Sequence, residues 1–255
     1  PEDKEEYKAE NIFFVPANAR WNYLVAQAKN PLIGKYIDDA MDVIERENPS
    51  LKGVLPKVFS RPNLDPTSLG ELIDLIGNST LSNVSTGSAD LLGHVFEYFL
   101  GEFALAEGKK GGQFYTPRSV VELLVNMLEP YKGRVLDPCC GSGGMFVQAA
   151  RYMHRHNATN DQMTHFRCYG VEKEPDTVKL AKMNILLNNI RGEITEANSF
   201  YSDPYNAFGQ FDYVMANPPF NVDEVVLEKV IDDIRFNTYG VPRNKTKSGK
   251  KSSIA

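Results

Sequence analysis

The sequence is poor in the residues that brace small secreted domains or bind metals. Its 255 residues include three cysteines, of which Cys139 and Cys140 are adjacent and Cys168 stands alone. This spacing matches neither a disulfide framework nor a zinc site. The four histidines form no cluster beyond His154 and His156. We therefore expect no disulfide scaffold and no metal centre.

Long apolar runs are also missing, and no segment approaches the length needed to cross a bilayer. The charged opening, residues 1–6, is unlike a secretory signal. A composition of 42% hydrophobic and 24% charged residues is ordinary for a globular protein. We expect a cytoplasmic protein that does not associate with membranes.

The sequence has no overall excess of positive charge, since its net charge is −5. The charge is uneven, however, with −6 over residues 1–110 and +1 over residues 111–255. After Asp233 there are no acids, and six basic residues follow: Arg235, Arg243, Lys245, Lys247, Lys250 and Lys251. Two interpretations remain open for this segment, a solvated tail or a loop that contacts phosphates.

Two domains are predicted from a change of pattern along the chain. Residues 40–45 and 91–100 space their apolar side chains as helices do, and no segment before residue 110 alternates like a strand. The Gly-Lys-Lys-Gly-Gly stretch at 108–112 is the best boundary. We predict a mostly helical domain over residues 1–110 and a second domain over residues 111–255.

The second domain alternates short apolar runs with helical segments. Strands are predicted at 134–137, 168–172, 193–197 and 211–216, and helices at 145–152 and 176–188. This βαβα order predicts an α/β fold with a doubly wound, mainly parallel, Rossmann-like sheet. Ligands of such sheets bind at the carboxyl ends of the strands.

The first predicted strand ends in a glycine-rich turn, in which Asp137 precedes Gly141, Ser142, Gly143 and Gly144. Glycines let the backbone approach a ligand closely, and the following helix offers free N–H groups. The spacing differs from the dinucleotide fingerprint G-x-G-x-x-G. A carboxylate here would repel a pyrophosphate but suits a cation. We infer that the turn binds the ammonium and sulfonium of S-adenosylmethionine.

Glu172 ends the second predicted strand. An acid at this place in Rossmann-like folds accepts hydrogen bonds from ribose hydroxyls. A carboxylate at a strand end is more often a surface or capping group, so Glu172 gains its meaning from following Asp137 and the glycine turn. We include it among the cofactor-binding residues.

The fourth predicted strand runs into Asn217-Pro218-Pro219-Phe220, called here the NPPF turn. Its prolines fix the chain direction, so the Asn217 side chain and adjacent carbonyls are held as hydrogen-bond acceptors. An amine on an aromatic ring is a poor nucleophile because its lone pair is delocalised. If Asn217 and the Pro218 carbonyl accept its hydrogens, the lone pair becomes available to the methyl group. Phe220 would stack on a base flipped out of a duplex.

These residues predict methyl transfer by in-line displacement onto an exocyclic amine, without a covalent enzyme intermediate. Neither Cys139 nor Cys140 is then needed as a nucleophile. A simple turn that ends a strand would also contain Asn-Pro-Pro. That interpretation does not explain its position downstream of the glycine turn.

Three segments together resemble the modification subunit of type I restriction-modification systems, a family of N6-adenine DNA methyltransferases. They are the Gly-Gln-Phe-Tyr-Thr-Pro-Arg run at 112–118, the Asp-Pro-Cys-Cys-Gly-Ser-Gly-Gly run at 137–144, and the NPPF turn. The resemblance is strong over roughly residues 110–245. The helical N-terminal part resembles that family's N-terminal domain more loosely.

The resemblance implies that one segment closes over the methionine end of the cofactor: Gln113, Phe114, Tyr115, Thr116, Pro117 and Arg118. We expect Thr116 to cap a helix and Pro117 to be its first residue, which would expose N–H groups to a carboxylate. The rings of Phe114 and Tyr115 are equally compatible with an ordinary core.

The sequence departs from the family in one residue. The family usually has an Asp after the third strand, which meets the adenine amine of the cofactor, whereas this chain has Asn198. An amide oxygen still accepts a hydrogen bond. Asn198 is therefore kept as a cofactor-binding residue on weaker grounds.

The number of strands is also low. Four are predicted, whereas methyltransferases of this class have about seven and sheets average about five or six. We infer a fragment whose sheet is incomplete on its C-terminal side and whose base pocket is only partly present.

The resemblance implies S-adenosylmethionine as cofactor and DNA as substrate. Implied partners are a specificity subunit and a second modification subunit, with the restriction subunit as a further candidate. Asn-Pro-Pro-aromatic turns also occur in methyltransferases of protein glutamine and ribosomal RNA, and a non-catalytic assembly subunit could keep the same fold. The 112–118 segment disfavours the first two, and the retained Asp137, Glu172 and Asn217 disfavour the third. No nuclease or helicase motif is present.

Overall fold

A computed structural model describes residues 4–9, 12–77, 98–99, 101–102, 116–156, 159, 165–219, 222–236, 240 and 251–254 of the chain. The chain divides into two compact units, residues 1–88 (the N-terminal unit) and residues 89–255 (the sheet unit). The boundary expected at 108–112 lies outside the described residues. The limits at residue 110 therefore stay a prediction.

The regular secondary structure in the described part of the N-terminal unit is all helical, as predicted. Its helices are α1 (Lys4–Ala9), α2 (Trp21–Ala26), α3 (Ile33–Glu47) and α4 (Pro66–Gly77), with 3-10 turns at Ala17–Ala19 and Pro49–Leu51. Helix α3 contains residues 40–45, and the helix predicted at 91–100 falls almost entirely outside the described residues.

Helix α3 buries one face against α2 and α4 because its apolar residues recur every three or four positions. Ile33, Ile37 and Ala40 form that face and are almost fully buried. Gly34 lies beside them, where an added Cβ would collide with the Phe59 carbonyl. The close approach of chain and helix at this point requires glycine.

The sheet unit contains the predicted succession of strands and helices. Its elements are α5 (Arg118–Leu128), β1 (Arg134–Asp137), α6 (Gly144–Arg155), β2 (Arg167–Glu172), α7 (Pro175–Leu187), β3 (Gly192–Glu196), β4 (Tyr213–Val214), β5 (Val222–Val226) and β6 (Lys251–Ile254), with 3-10 turns at Leu227–Lys229 and Ile234–Phe236. Strand β4 is shorter than predicted. Strands β5 and β6, an antiparallel pair, were not predicted.

The four strands β1 to β4 form one parallel sheet in the order β3-β2-β1-β4. The chain moves outward from β1 to β3 and then returns to pair on the other side of β1. This reversal opens a crevice at the carboxyl ends of β1 and β4. Backbone hydrogen bonds from Met215 N to Leu136 O (2.9 Å) and from Asp212 N to Arg134 O (3.0 Å) extend the short β4 ladder.

The core of the sheet unit lies between the sheet and helices α5, α6 and α7. Phe146 and Met153 of α6 are fully buried there against Val135 and Cys168 of the sheet. Gly170 faces the same core, and a Cβ on it would meet the Cys140 thiol and the Ile194 side chain at 2.7 Å. In the described residues, no helix is both long enough and apolar enough to span a membrane.

Candidate active site

The glycine turn (residues 138–144) joins β1 to α6 and is held by its neighbours. Gly141 (φ 52°) and Gly143 (φ 77°) adopt left-handed backbone conformations, which explains glycine at both places. Cys140 N donates to Val171 O of β2 at 3.0 Å. The buried Asn184 of α7 donates from Nδ2 to Ser142 O at 2.9 Å. Asn184 was not predicted, since a polar residue within a helix gives no sign of its distant partner.

Asp137 lies at the carboxyl end of β1 and is 2% exposed. Its Oδ1 accepts a hydrogen bond from Cys139 N at 3.0 Å. Burial raises the pKa of this carboxyl to about 7, and the negative charge of Glu172 adds to the rise. A cation beside Asp137 would supply the compensation that the buried charge lacks.

Glu172 ends β2 and closes over the glycine turn. Its Oε2 accepts from Gly141 N at 3.1 Å, and its Oε1 accepts from the backbone N–H groups of Lys173 (2.7 Å) and Glu174 (2.8 Å). A carboxylate offers about four acceptor sites, so about one remains for a ribose hydroxyl. Glu172 thus caps the backbone N–H groups of the adjoining turns and keeps an acceptor site for the predicted ribose hydroxyl.

Asn198 lies next to Glu172, because Ala197 N donates to Glu172 O at 3.0 Å. The Asn198 side chain is already engaged, since its Oδ1 accepts from Phe200 N at 3.0 Å. The structure therefore places Asn198 beside the other predicted residues and uses its oxygen to shape the loop.

Arg235 is neither a solvated residue nor a free phosphate ligand. Its Nη1 donates to Ser199 O at 2.6 Å and its Nη2 to Phe200 O at 3.3 Å. Asp233 accepts from Nε and Nη2, and these hydrogen bonds lower the pKa of the Asp233 carboxyl to about 2. For this residue both interpretations of the basic segment are wrong, because its donors hold the loop that carries Asn198. Arg243, Lys245, Lys247 and Lys250 lie outside the described residues.

Cys139 connects the end of β1 to the end of β4. Burial, with the negative charge of Asp137, raises the pKa of its thiol to about 12, and the backbone N–H of Asn217 opposes this rise through a hydrogen bond. Burial likewise raises the pKa of Cys140. Thiols that stay protonated are poor nucleophiles, as a mechanism without covalent intermediate requires.

Asn217 stands at the exposed end of β4, with Pro218 and Pro219 exposed after it. Its Nδ2 donates to the Thr116 hydroxyl at 3.1 Å. Among the described residues, none donates a hydrogen bond to the Asn217 Oδ1. The acceptor end of the amide therefore receives no hydrogen bond from the part of the chain that the structure describes. Phe220 lies outside the described residues.

The predicted helix cap at Thr116 is wrong by one position. Pro117 is the N-cap of α5, with φ −53° and ψ 135°, and Arg118 is the first helical residue. The extended ψ of Pro117 is the reason, because the helix cannot begin before it. Thr116 uses its hydroxyl for Asn217, and Arg118 Nε donates to Glu122 at 3.0 Å. Gln113, Phe114 and Tyr115 lie outside the described residues.

Among the residues that the structure describes, no group of three or more His, Cys, Asp or Glu side chains could hold a metal ion. The described site residues instead lie at or just beyond the carboxyl ends of the four parallel strands, with Thr116 held against Asn217.

Comparison with known families assigns both parts of the chain. The sequence profile of the N-6 DNA Methylase family matches residues 87–249, and that of the HsdM N-terminal domain matches residues 1–76.

Two relatives show high similarity over most of the chain. The chain is 37% identical over 249 residues to the type I restriction enzyme MjaIX methylase subunit of Methanocaldococcus jannaschii, an alignment covering 94% of this chain and 43% of the relative. It is 40% identical over 248 residues to the HindI methylase subunit of Haemophilus influenzae, covering 89% and 55%. The chain thus spans about half the length of these relatives.

Solved structures share the fold. A type I restriction-modification methyltransferase subunit from Streptococcus thermophilus superimposes with a TM-score of 0.73 at 20% identity, covering 97% of this chain and 52% of the other. A modification subunit of a type I restriction enzyme from Vibrio vulnificus gives 0.57 at 22% identity, covering 89% and 53%. The profile match, which spans the β1 and β4 site, shows that the chain belongs to the N-6 DNA Methylase family.

Proposed function

We propose that this chain carries the cofactor site and the reacting turn of an S-adenosylmethionine-dependent methyltransferase that modifies the N6 amine of adenine in DNA. The supporting observation is Asn217, which follows β4 with its amide nitrogen held by Thr116, while no described residue donates a hydrogen bond to its amide oxygen. The exocyclic amine of adenine carries two hydrogens, so two fixed acceptors match it. The Asn217 Oδ1 and the Pro218 carbonyl are those acceptors.

The cofactor fits the residues present. Asp137 is a buried carboxyl whose pKa burial raises to about 7, and a cationic ligand compensates such a group. Glu172 has about one acceptor site left for a hydroxyl. When bound, S-adenosylmethionine supplies an electrophilic methyl group on a sulfonium.

The chain's own residues then have distinct tasks. Asp137 and Glu172 hold the cofactor from the ends of β1 and β2, while Gly141 and Gly143 let the backbone come close. Asn217 and Pro218 accept the amine hydrogens, which favours a tetrahedral nitrogen whose lone pair leaves the aromatic system. Phe220 supplies a stacking face for the flipped base.

The partners are part of the same proposal. Relatives of the chain are named as methylase subunits of type I restriction enzymes, and the N-terminal half of this chain is acidic. We propose that it acts as a modification subunit with a specificity subunit and a second modification subunit. Its own DNA binding is then weak and strongly dependent on salt, and sequence selection needs another chain.

Methyl transfer from labelled cofactor tests this function. The complete protein would be incubated with adenine-containing duplex DNA, ribosomal RNA and a glutamine-containing protein, each with and without the specificity subunit. Label is expected in DNA at adenine N6, with sequence-specific labelling only when the specificity subunit is present. Label only in RNA or protein would replace DNA as the substrate, and sequence-specific DNA labelling by the isolated subunit would overturn the assignment of partners.

A further inference from the structure

The amide of Asn217 is held by a residue 101 positions away in sequence. Thr116 precedes the N-cap of α5, and its half-buried hydroxyl accepts the hydrogen bond from Asn217 Nδ2 at 3.1 Å. A Thr before a helix commonly caps it, but in this chain the N-cap is Pro117. Capping of α5 therefore does not explain why position 116 has a hydroxyl group.

The backbone of Asn217 is fixed independently of Thr116. Two residues before Asn217, the backbone N–H of Met215 donates to Leu136 O of β1 at 2.9 Å. The Asn217 N–H contacts the Cys139 thiol, and the prolines that follow restrict the chain direction. What remains free after these constraints is the rotation of the Asn217 side chain.

That rotation decides whether the proposed chemistry is possible. A primary amide has an acceptor oxygen and a donor nitrogen of nearly the same shape, and its terminal torsion is soft. With Nδ2 toward Thr116, the oxygen of the planar amide group points away from the Thr116 hydroxyl. In the reversed orientation, N–H groups would face the hydrogens of the target amine.

We propose that Thr116 is a positioning residue for Asn217: the Thr116 hydroxyl holds the side-chain amide through Nδ2 and restricts its rotation, so that Oδ1 stays available to the amine of the methyl acceptor. This inference rests on the proposed function of the NPPF turn. It gives the Thr116 side chain a task separate from the cofactor contact implied by the family resemblance. Thr116 acts through Asn217 and does not touch the reacting atoms.

The first experiment compares Thr116→Val, which keeps the shape and removes the hydroxyl, with Thr116→Ser, which keeps the hydroxyl. In the complete protein with its partners, kcat of the Val variant should fall about 3- to 10-fold, as expected for the loss of one hydrogen bond. The Ser variant should recover most of that loss. Calorimetry should show a change in S-adenosylmethionine affinity that is clearly smaller than the fall in kcat of the Val variant.

A double-mutant cycle makes the test specific. In the Asn217→Ala background, Thr116→Val should change kcat by less than about twofold, because the group it positions is gone. An equal fold-loss in both backgrounds would overturn the proposal. So would wild-type kcat in the Val variant, or a fall in cofactor affinity as large as the fall in kcat.

Nuclear magnetic resonance tests the positioning role of Thr116 independently of the proposed function. The side-chain amide signals of Asn217 are identified by their loss in Asn217→Ala, and their order parameter is compared between wild type and Thr116→Val. A lower order parameter in the Val variant is expected whether or not DNA proves to be the substrate. Equal order parameters would refute the positioning role even in an active enzyme.

Discussion

Both units of the chain bury carboxylates, but they surround them differently. In the N-terminal unit, Asp38 of α3 accepts hydrogen bonds from Phe59 N (3.0 Å), Ser60 N (2.9 Å) and Ser60 Oγ (2.5 Å). Glu45 of the same helix accepts from Leu55 N at 2.8 Å and from Lys57 Nζ at 2.7 Å. These two acids are supplied with donors by the chain itself.

The pKa values follow from this difference. Burial alone would raise the pKa of Asp38, but the hydrogen bonds from Ser60 and from the backbone bring it below its ordinary value. Burial would also raise the pKa of Glu45, but the hydrogen bonds from Lys57 and from the backbone of Leu55 and Gly53, with the positive charge of Lys57, together bring it below its ordinary value. Asp137 of the sheet unit receives fewer donors, and burial raises its pKa to about 7.

The comparison distinguishes buried acids that stabilise the fold from a buried acid that can bind a ligand. Asp38 and Glu45 join α3 to the following segment, and their charge is compensated in the folded protein. The described residues compensate the charge of Asp137 less fully, and a bound cation would add to that compensation. A buried acid with a raised pKa at a strand end is therefore a better indicator of a ligand site than burial alone.

The largest expected effect is on the rate of methyl transfer by the sheet unit. Asn217→Ala should lower turnover on the order of 10²- to 10³-fold, by analogy with the loss of a preorganised oxyanion-hole donor. Affinity for S-adenosylmethionine should hardly change, because Asn217 stabilises the amine only as it becomes tetrahedral. Single-turnover methyl transfer and calorimetry measure the two quantities.

Asn126→Ala is the matched control, since Asn126 is an exposed residue of α5. Its turnover should equal that of the wild type. If Asn217→Ala kept wild-type turnover in a correctly folded complex, the role given to the NPPF turn would be wrong.

Asp137→Asn should weaken cofactor binding and at the same time raise the free energy of unfolding. The variant should bind S-adenosylmethionine about 10- to 100-fold more weakly, because a charged hydrogen-bond acceptor facing a cation is lost. Without ligand at pH 8 it should be more stable by roughly 1–4 kcal/mol, since no charge is buried. Calorimetry and urea unfolding measure the two effects.

Asp176→Asn, which alters an acid whose side chain is 95% exposed, should change neither quantity. A destabilised Asp137→Asn variant with unaltered cofactor affinity would show that Asp137 is a structural acid like Asp38.

Asp38→Asn should have the opposite effect on stability and none on the cofactor. An amide cannot replace a carboxylate that accepts three hydrogen bonds, so we expect a loss of about 1–3 kcal/mol. The single tryptophan, Trp21, lies in the N-terminal unit. Its fluorescence during urea unfolding therefore reports on this unit.

Asp39→Asn, on the exposed side of the same helix, should stay within about 0.5 kcal/mol of wild type. A similar loss in both variants would mean that the buried hydrogen bonds of Asp38 contribute little.

The same two variants should also differ in how their stability depends on pH, with opposite signs for the two acids. The raised pKa of Asp137 means that its ionisation opposes folding, so the advantage of Asp137→Asn should be absent below about pH 4 and grow up to about pH 7. The lowered pKa of Asp38 means that its ionisation favours folding. The deficit of Asp38→Asn should thus be present above its ordinary pKa of 3.8 and vanish as pH falls below the folded value.

Hydrogen exchange of the β1 amides and Trp21 fluorescence would follow the two units across pH. Cofactor affinity should also fall as pH drops below about 7, because protonation of Asp137 competes with a cation. If the difference in stability from wild type had the same sign in both variants across pH, Asp137 and Asp38 would not differ in the way described above.

The local pattern of the sequence was sufficient to predict the positions of most strands and helices of the sheet unit. Strands β1, β2 and β3 and helices α6 and α7 lie within a few residues of their predicted positions, because apolar periodicity and glycine turns are local signals. Strand β4 was predicted longer than it is. Its outer positions make single ladder bonds without continuing the strand, which depends on β1 as a partner.

The sequence by itself determined the helical character of the described N-terminal unit, the α/β order of the sheet unit, and the Asp137, Glu172 and Asn217 positions at strand ends. Tertiary structure alone decided the shortfall of donors around Asp137, the attachment of Ser142 to Asn184, the use of Arg235 on the Asn198 loop, and the contact of Thr116 with Asn217. The reason is physical. Periodicity and turn chemistry act between neighbours in sequence, whereas desolvation and hydrogen bonding depend on which distant segments the fold brings together.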